Sequence, residues 1–187
     1  MSSRRLIGPA ELKAMLADLP RACPHEGRVY VLGDTSQVLE GWHPWVQSIV
    51  LATESDARGI AVADAVRAVA ARHEIPAVFE SPADVVPLPD GVHDRHRPTG
   101  RVWQTPGGRF EVLHYDPYSV VCRGIVRGDE PDYHTALRYL RHGWVTVERM
   151  TQLYDDLLPR FTMATIAQDP AEFRRKFKGL LQMWRAQ

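Results

Sequence analysis

Val29-Tyr30-Val31-Leu32-Gly33-Asp34-Thr35-Ser36 is the stretch on which the fold turns. Four apolar or aromatic residues in a row suit a buried strand. Gly33 at its end permits a sharp turn, and Asp, Thr and Ser favour the start of a helix. A second apolar run follows a little further on, Gln47-Ser48-Ile49-Val50-Leu51. A strand, a turn into a helix and a second strand form the opening of an α/β layer.

The rest of the chain extends this pattern. Gly8-Pro9-Ala10-Glu11 opens a helix whose Leu12, Met15, Leu16 and Leu19 share one face, and Pro20 is expected to end it. Strands are expected over 28–32, 45–53 and 75–80, with helical turns over 36–42. A crossover helix over 60–73 should bury Ile60, Val62, Ala63, Val66, Val69 and Ala70, with Ser55-Asp56 as its cap. Residues 81–98, rich in Pro, Asp and His, read as a long loop. A hairpin over 101–104 and 109–114 turns at Thr105-Pro106-Gly107-Gly108. Helices follow over 117–126, 131–142 and 146–157, and Asp169-Pro170-Ala171-Glu172 starts a last one. The expected class is α/β (α+β), a small mixed sheet with a helical C-terminal half. The expected organisation is one domain over 1–187, with sub-regions 8–98 and 99–187.

Composition narrows the functional classes. The chain has 187 residues, with 23 Lys plus Arg against 23 Asp plus Glu, so bulk attraction to nucleic acid or an anionic membrane is not expected. Cys23 and Cys122 form no CxxC pair, and reduced thiols in a cytoplasmic protein are the expectation. Met1-Ser2-Ser3-Arg4-Arg5-Leu6-Ile7 has no apolar stretch behind its basic start, so it does not read as a signal peptide. No run approaches the ~20 apolar residues of a membrane span.

Chemistry is sought first at the turn. Glycine lets backbone approach a phosphate, and hydroxyls with helix N-terminal amides can hold the anion, which makes Gly33, Thr35 and Ser36 candidates. Ordinary turn chemistry explains the same residues. Phosphoryl transfer needs more, and two carboxylates at i and i+2 on a strand face can hold Mg²⁺ and orient an attacking oxygen. The second strand has no Asp or Glu between Trp42 and Thr53. Arg123 and Arg127 share a helix face, as do Arg138 and Arg141, and this stripe can contact phosphate or pair with Asp129, Glu130 and Asp132. His93-Asp94-Arg95-His96 reads as a solvated loop, and Cys122 as a core thiol.

Further stretches carry a resemblance. With Val29-Tyr30-Val31-Leu32-Gly33 go Val38-Leu39-Glu40-Gly41-Trp42, Ser81-Pro82-Ala83-Asp84 and His114-Tyr115-Asp116-Pro117-Tyr118. Arg127-Gly128 with Asp132 follows, then Asp169-Pro170 with Phe173-Arg174-Arg175. In this order they resemble a family of small bacterial nucleotidyltransferase-like proteins, distantly similar to the nucleotidyltransferase toxins of toxin–antitoxin pairs. The departures fall where that family's chemistry lies. Its turn is commonly Gly-Gly or Gly-Ser; here it is Gly33-Asp34. Its two metal-binding Asp positions fall on Ser48 and Val50, and a further acid on Val78. Its Lys and Glu before Arg127-Gly128 fall on Gly124 and Val126.

The resemblance therefore implies a catalytically degenerate nucleotidyltransferase-like protein with no cofactor. It would act by binding a partner, whether protein, RNA, nucleotide or a second copy, in a toxin–antitoxin or defence locus. The alternative is an active enzyme that uses Mg²⁺ and a nucleoside triphosphate to modify RNA or protein, with Asp34 and Glu80 as a relocated acid pair. A third class is a structural subunit whose old cleft is filled by Val50 and Val78.

Overall fold

The computed structural model describes residues 5–23, 25–161 and 169–187. The signal-peptide reading rests partly on residues 1–4, which lie outside them. The class is mixed α+β, with a five-stranded mixed sheet and a helical C-terminal half. Two compact units divide the chain. The first holds the chain up to Glu80 and returns for Arg97–Tyr115; the second holds Ser81–His96 and everything from Asp116 onward. Both ends of the Pro-rich loop thus fall at a unit boundary. The hairpin, grouped by sequence with the C-terminal half, joins the first unit's sheet.

In the first unit the strands are β1 (His25–Val31), β2 (Ile49–Thr53), β3 (Ala77–Phe79), β4 (Arg97–Thr105) and β5 (Gly107–His114). Their order is β3-β2-β1-β5-β4. β1 runs antiparallel to β2 and parallel to β5. β2 and β3 are parallel, joined by the crossover helix α3 (Ala57–Arg72). The other helices here are α1 (Pro9–Ala22) and α2 (Gly33–Leu39). Alternation along the strands sends Val29, Val31, Ile49, Leu51, Phe110 and Val112 into one core. Leu12, Met15, Leu16 and Leu19 of α1 and Val62, Val66 and Val69 of α3 complete it. Asp56 caps α3 through the Gly59 amide at 2.8 Å.

Several expectations are corrected. α1 runs through Pro20 to Ala22, because a proline in the last turn removes one amide while Cys23 N still bonds Leu19 O at 2.8 Å. The second strand begins only at Ile49; Val46 instead bridges Ile7 in both directions, at 2.8 and 3.0 Å. Ile60, expected on the buried face of α3, is 59% exposed, and Gly59 takes the inner place. Trp45, expected to open the second strand, is exposed and meets His43 edge-on. The loop contains two short 3-10 turns, Pro82–Asp84 and Val92–Arg95.

The second unit is built from α4 (Pro117–Arg127), α5 (Glu130–Arg141), α6 (Val147–Leu157) and α7 (Pro170–Arg185). Asp116, Thr146 and Asp169 cap α4, α6 and α7 with their side chains. Gly128, at φ +74°, ends α4 in a left-handed conformation. Lys176 of α7 donates to the last carbonyls of α4, Val126 O at 2.6 Å and Arg127 O at 3.2 Å. Tyr154 stacks on Phe173 and Phe177, with ring centroids 5.4 and 4.7 Å apart.

Two glycines on helices give opposite expectations. A Cβ at Gly59 would lie 1.8 Å from the Glu54 carbonyl oxygen, whereas one at Gly179 of α7 meets nothing within 4 Å. Gly59→Ala should therefore lower the unfolding free energy by about 2 kcal/mol or more. Gly179→Ala should raise it by about 0.5–1 kcal/mol. Urea melts of the two variants check both signs.

Candidate functional site

Gly33 makes its turn at φ +54°, a value that favours glycine. Leu32 N bonds Val50 O at 3.1 Å, and Val50 N donates to Thr35 Oγ1 at 2.7 Å. The turn is thus clasped to β2 at the position the resemblance assigns to a metal-binding acid. Ser36 Oγ lies 2.9 Å from Val31 O and 3.0 Å from His114 Nδ1. Thr35 and Ser36 are fully buried, and each hydroxyl has these internal partners. Asp34 lies in the first turn of α2, partly buried.

The positions of the expected acids do gather. Val50 and Val78 are register partners on β2 and β3, and Ser48 lies just before β2. Val50 is half-buried, while Val78 is 41% exposed rather than filling a cleft. None of the three can ligate Mg²⁺ with a carboxylate, so these residues do not fit that ion. Among the described residues no three His, Cys, Asp or Glu side chains are grouped to hold a metal. Glu80 follows β3, its amide on Leu51 O at 2.9 Å. β3 is parallel to β2 and β2 antiparallel to β1, so Asp34 and Glu80 leave their strands toward opposite ends of the sheet. About 10 Å of sheet width also separates those strands.

His114 makes structural hydrogen bonds whose partners the sequence reading missed. It is buried on β5, with Nδ1 on Ser36 Oγ and Nε2 2.9 Å from Glu40 Oε1. Burial pushes its pKa down to about 4; Arg97 acts the same way and Glu40 opposes both. At neutral pH the imidazole is uncharged, with Nε2–H donating to the Glu40 carboxylate. Nδ1 is then an acceptor, and it and the Val31 carbonyl share the single Ser36 proton. Ser, His and Glu stand in line, yet Ser36 has no solvent access, so the line joins α2 to β5 and presents no nucleophile. No local motif announces it, because the partners are 74 and 78 residues apart.

A second missed cluster lies at the other end of β1. Arg28 Nε and Arg109 Nη2 reach the two oxygens of Glu111, at 3.0 and 2.7 Å. The Glu111 bond raises Arg28 above the ordinary arginine value. Tyr30 donates to Glu54; burial first, then that bond, raises the phenol. The signal was present in sequence: Arg28 and Tyr30, like Arg109 and Glu111, alternate with core residues and so share a sheet face.

In the second unit, Asp116 is buried and takes Arg95 Nε and Nη2 at 3.0 and 2.8 Å as well as the Ser119 hydroxyl at 2.7 Å. His96 Nδ1 accepts from the Asp116 amide. Arg127 Nε meets Asp132 at 3.1 Å. Arg123 is buried; desolvation, then Arg127, lowers its pKa, and Asp132 opposes them. Arg127 is therefore matched by an acid and Arg123 withdrawn from solvent, while Arg141 is exposed and meets the neutral Gln187 amide. Burial pushes the Cys23 and Cys122 thiols up, to about 11 and about 12, so both stay protonated.

Comparison with family models, curated proteins and solved structures finds no match for this chain. No helix among the described residues is long and apolar enough to cross a membrane.

His114 gives a pH prediction. Its folded pKa, about 4, lies below its ordinary 6.5, so between these values the unfolded chain binds more protons. The stability from the neutral imidazole is complete above pH 6.5 and is lost as pH falls through 4. The full effect is about 3 kcal/mol. Urea melts from pH 7 to 4 should show this decline, and His114→Asn should remove that part of it.

Proposed function

We propose that this chain is a nucleotidyltransferase-like scaffold that has lost metal-dependent chemistry and acts by binding a partner. The observation that carries the reading is the clasp between Val50 N and Thr35 Oγ1. It sets a glycine turn against the strand that would carry the carboxylates, and there the side chains are those of Ser48 and Val50. A triphosphate needs a divalent ion to offset its charge and to orient the attacking oxygen. Valine offers neither a charge nor a lone pair.

Charge favours a protein partner over RNA. The chain has no net charge, Arg127 is paired with Asp132, and Arg123 is buried. RNA binding draws on unpaired cations in a continuous groove. A toxin–antitoxin or defence role rests on the resemblance alone.

Restoring the acids tests the scaffold. Wild-type protein should transfer no label from α-labelled nucleoside triphosphates to RNA or protein, and calorimetry should give no Mg²⁺-dependent heat with ATP. Ser48→Asp with Val50→Asp should gain Mg²⁺-dependent ATP binding. Label transfer by wild-type protein that Asp34→Asn or Glu80→Gln abolishes would establish the active-enzyme reading instead. A folded double-Asp variant with no Mg²⁺-dependent binding would refute the scaffold.

A further inference from the structure

β2 stops at Thr53, opposite Val29, so β1 from His25 to Arg28 has a strand neighbour only on its β5 side. The chain leaving β2 turns through Glu54, Ser55 and Asp56 into α3. A cavity of about 490 Å³ lies between that loop and the open edge of β1. This is a size ordinary for small-ligand sites.

The two walls carry opposite charge. On the sheet side stand Arg28 and Arg109, both held by Glu111. Arg28 Nε bonds Oε1 at 3.0 Å; Arg109 Nε and Nη2 bond Oε2 at 3.0 and 2.7 Å. Glu111 is buried and fixes both guanidinium planes, and two cations share one anion, which leaves this wall positive. On the loop side stand Glu54 and Asp56. Glu54 accepts from the Tyr30 hydroxyl and Asp56 from the Gly59 amide. Both donors are neutral, so this wall remains negative, and the Tyr30 hydroxyl also meets Arg28, linking the two walls at one end. Arg58, the other cation lining the cavity, is ion-paired with Glu26.

A simple anion in this cavity would face two carboxylates, and a simple cation would face two guanidinium groups. A molecule that carries both charges a short distance apart satisfies both walls. The open β1 edge adds backbone amide and carbonyl groups suited to a peptide-like ligand. We propose that this cavity binds a free α-amino acid, its carboxylate on Arg28 and Arg109 and its ammonium on Glu54 and Asp56. The site lies at the opposite end of β1 from Gly33 and does not depend on the scaffold reading.

Thermal-shift assays with each standard L-amino acid at millimolar concentration, followed by calorimetry on the strongest, provide the test. The expected result is saturable binding of one or a few. The amide and the des-amino analogue of the best binder should each bind about tenfold more weakly or worse, and so should Arg109→Ala and Glu54→Gln. Ser55→Trp, at an exposed position lining the cavity, should block binding without removing a charge. Circular dichroism separates a lost site from a lost fold. The proposal is overturned if no amino acid binds, if either analogue binds as well as the parent, or if folded Ser55→Trp binds like wild type.

Discussion

β1 is hydrogen-bonded on both sides by strands that reach it from very different distances along the chain. Val29 is level with Thr53 on one side and with Val112 on the other. The parallel partner, β5, arrives only after the chain has left the first unit at Glu80 and come back at Arg97. Two-strand antiparallel pairing is local, but closing the parallel pair closes a much longer loop, at a greater cost in chain entropy. Until β5 docks, Val29 and Val31 lack half of their sheet environment, and His114 cannot reach Ser36 and Glu40. The His114 line then ties α2 to β5 in addition to the backbone ladder. The Gly33 turn, α2 and the charged face near Arg28 all depend on this one strand having both neighbours.

The parts of the fold legible in sequence are those fixed by near neighbours. Asp56, Thr146 and Asp169 cap their helices as the cap chemistry implies, and the Thr105-Pro106-Gly107-Gly108 turn makes its hairpin. Periodicity also placed the inner faces of α1 and α3, apart from Ile60. What was not legible depends on distant partners. Nothing local says that the hairpin pairs with β1, or that Val46 leaves β2 to meet Ile7. Burial of a single residue such as Ile60 is a matter of a few tens of degrees around a helix, which a broad apolar stripe does not fix.

The candidate site divides in the same way. The absence of carboxylates on β2 can be read directly, because it concerns residue identity. The fate of Thr35 and Ser36 cannot. Hydroxyls beside a glycine turn suit a phosphate equally well in sequence, yet Thr35 accepts the Val50 amide and Ser36 reaches Val31 and His114. A hydroxyl with a buried internal partner must lose that bond before it can serve a ligand. In this chain the turn's side chains hold the scaffold together, and its remaining donors are backbone.

Charge shows why a neutral sequence need not have a featureless surface. Equal totals of acid and base say only that the sum is zero. In the second unit, buried Asp116 takes two nitrogens of Arg95 and Arg127 meets Asp132, so these charges are cancelled pair by pair. Near Arg28 the cancellation is incomplete on each wall, because Glu111 is shared by two arginines while Glu54 and Asp56 accept from neutral donors. Opposite charges separated by a cavity gain less from each other than from a group placed between them, since Coulomb attraction falls with distance and water fills the gap. Here β2 ends one residue short of Arg28 and keeps it open.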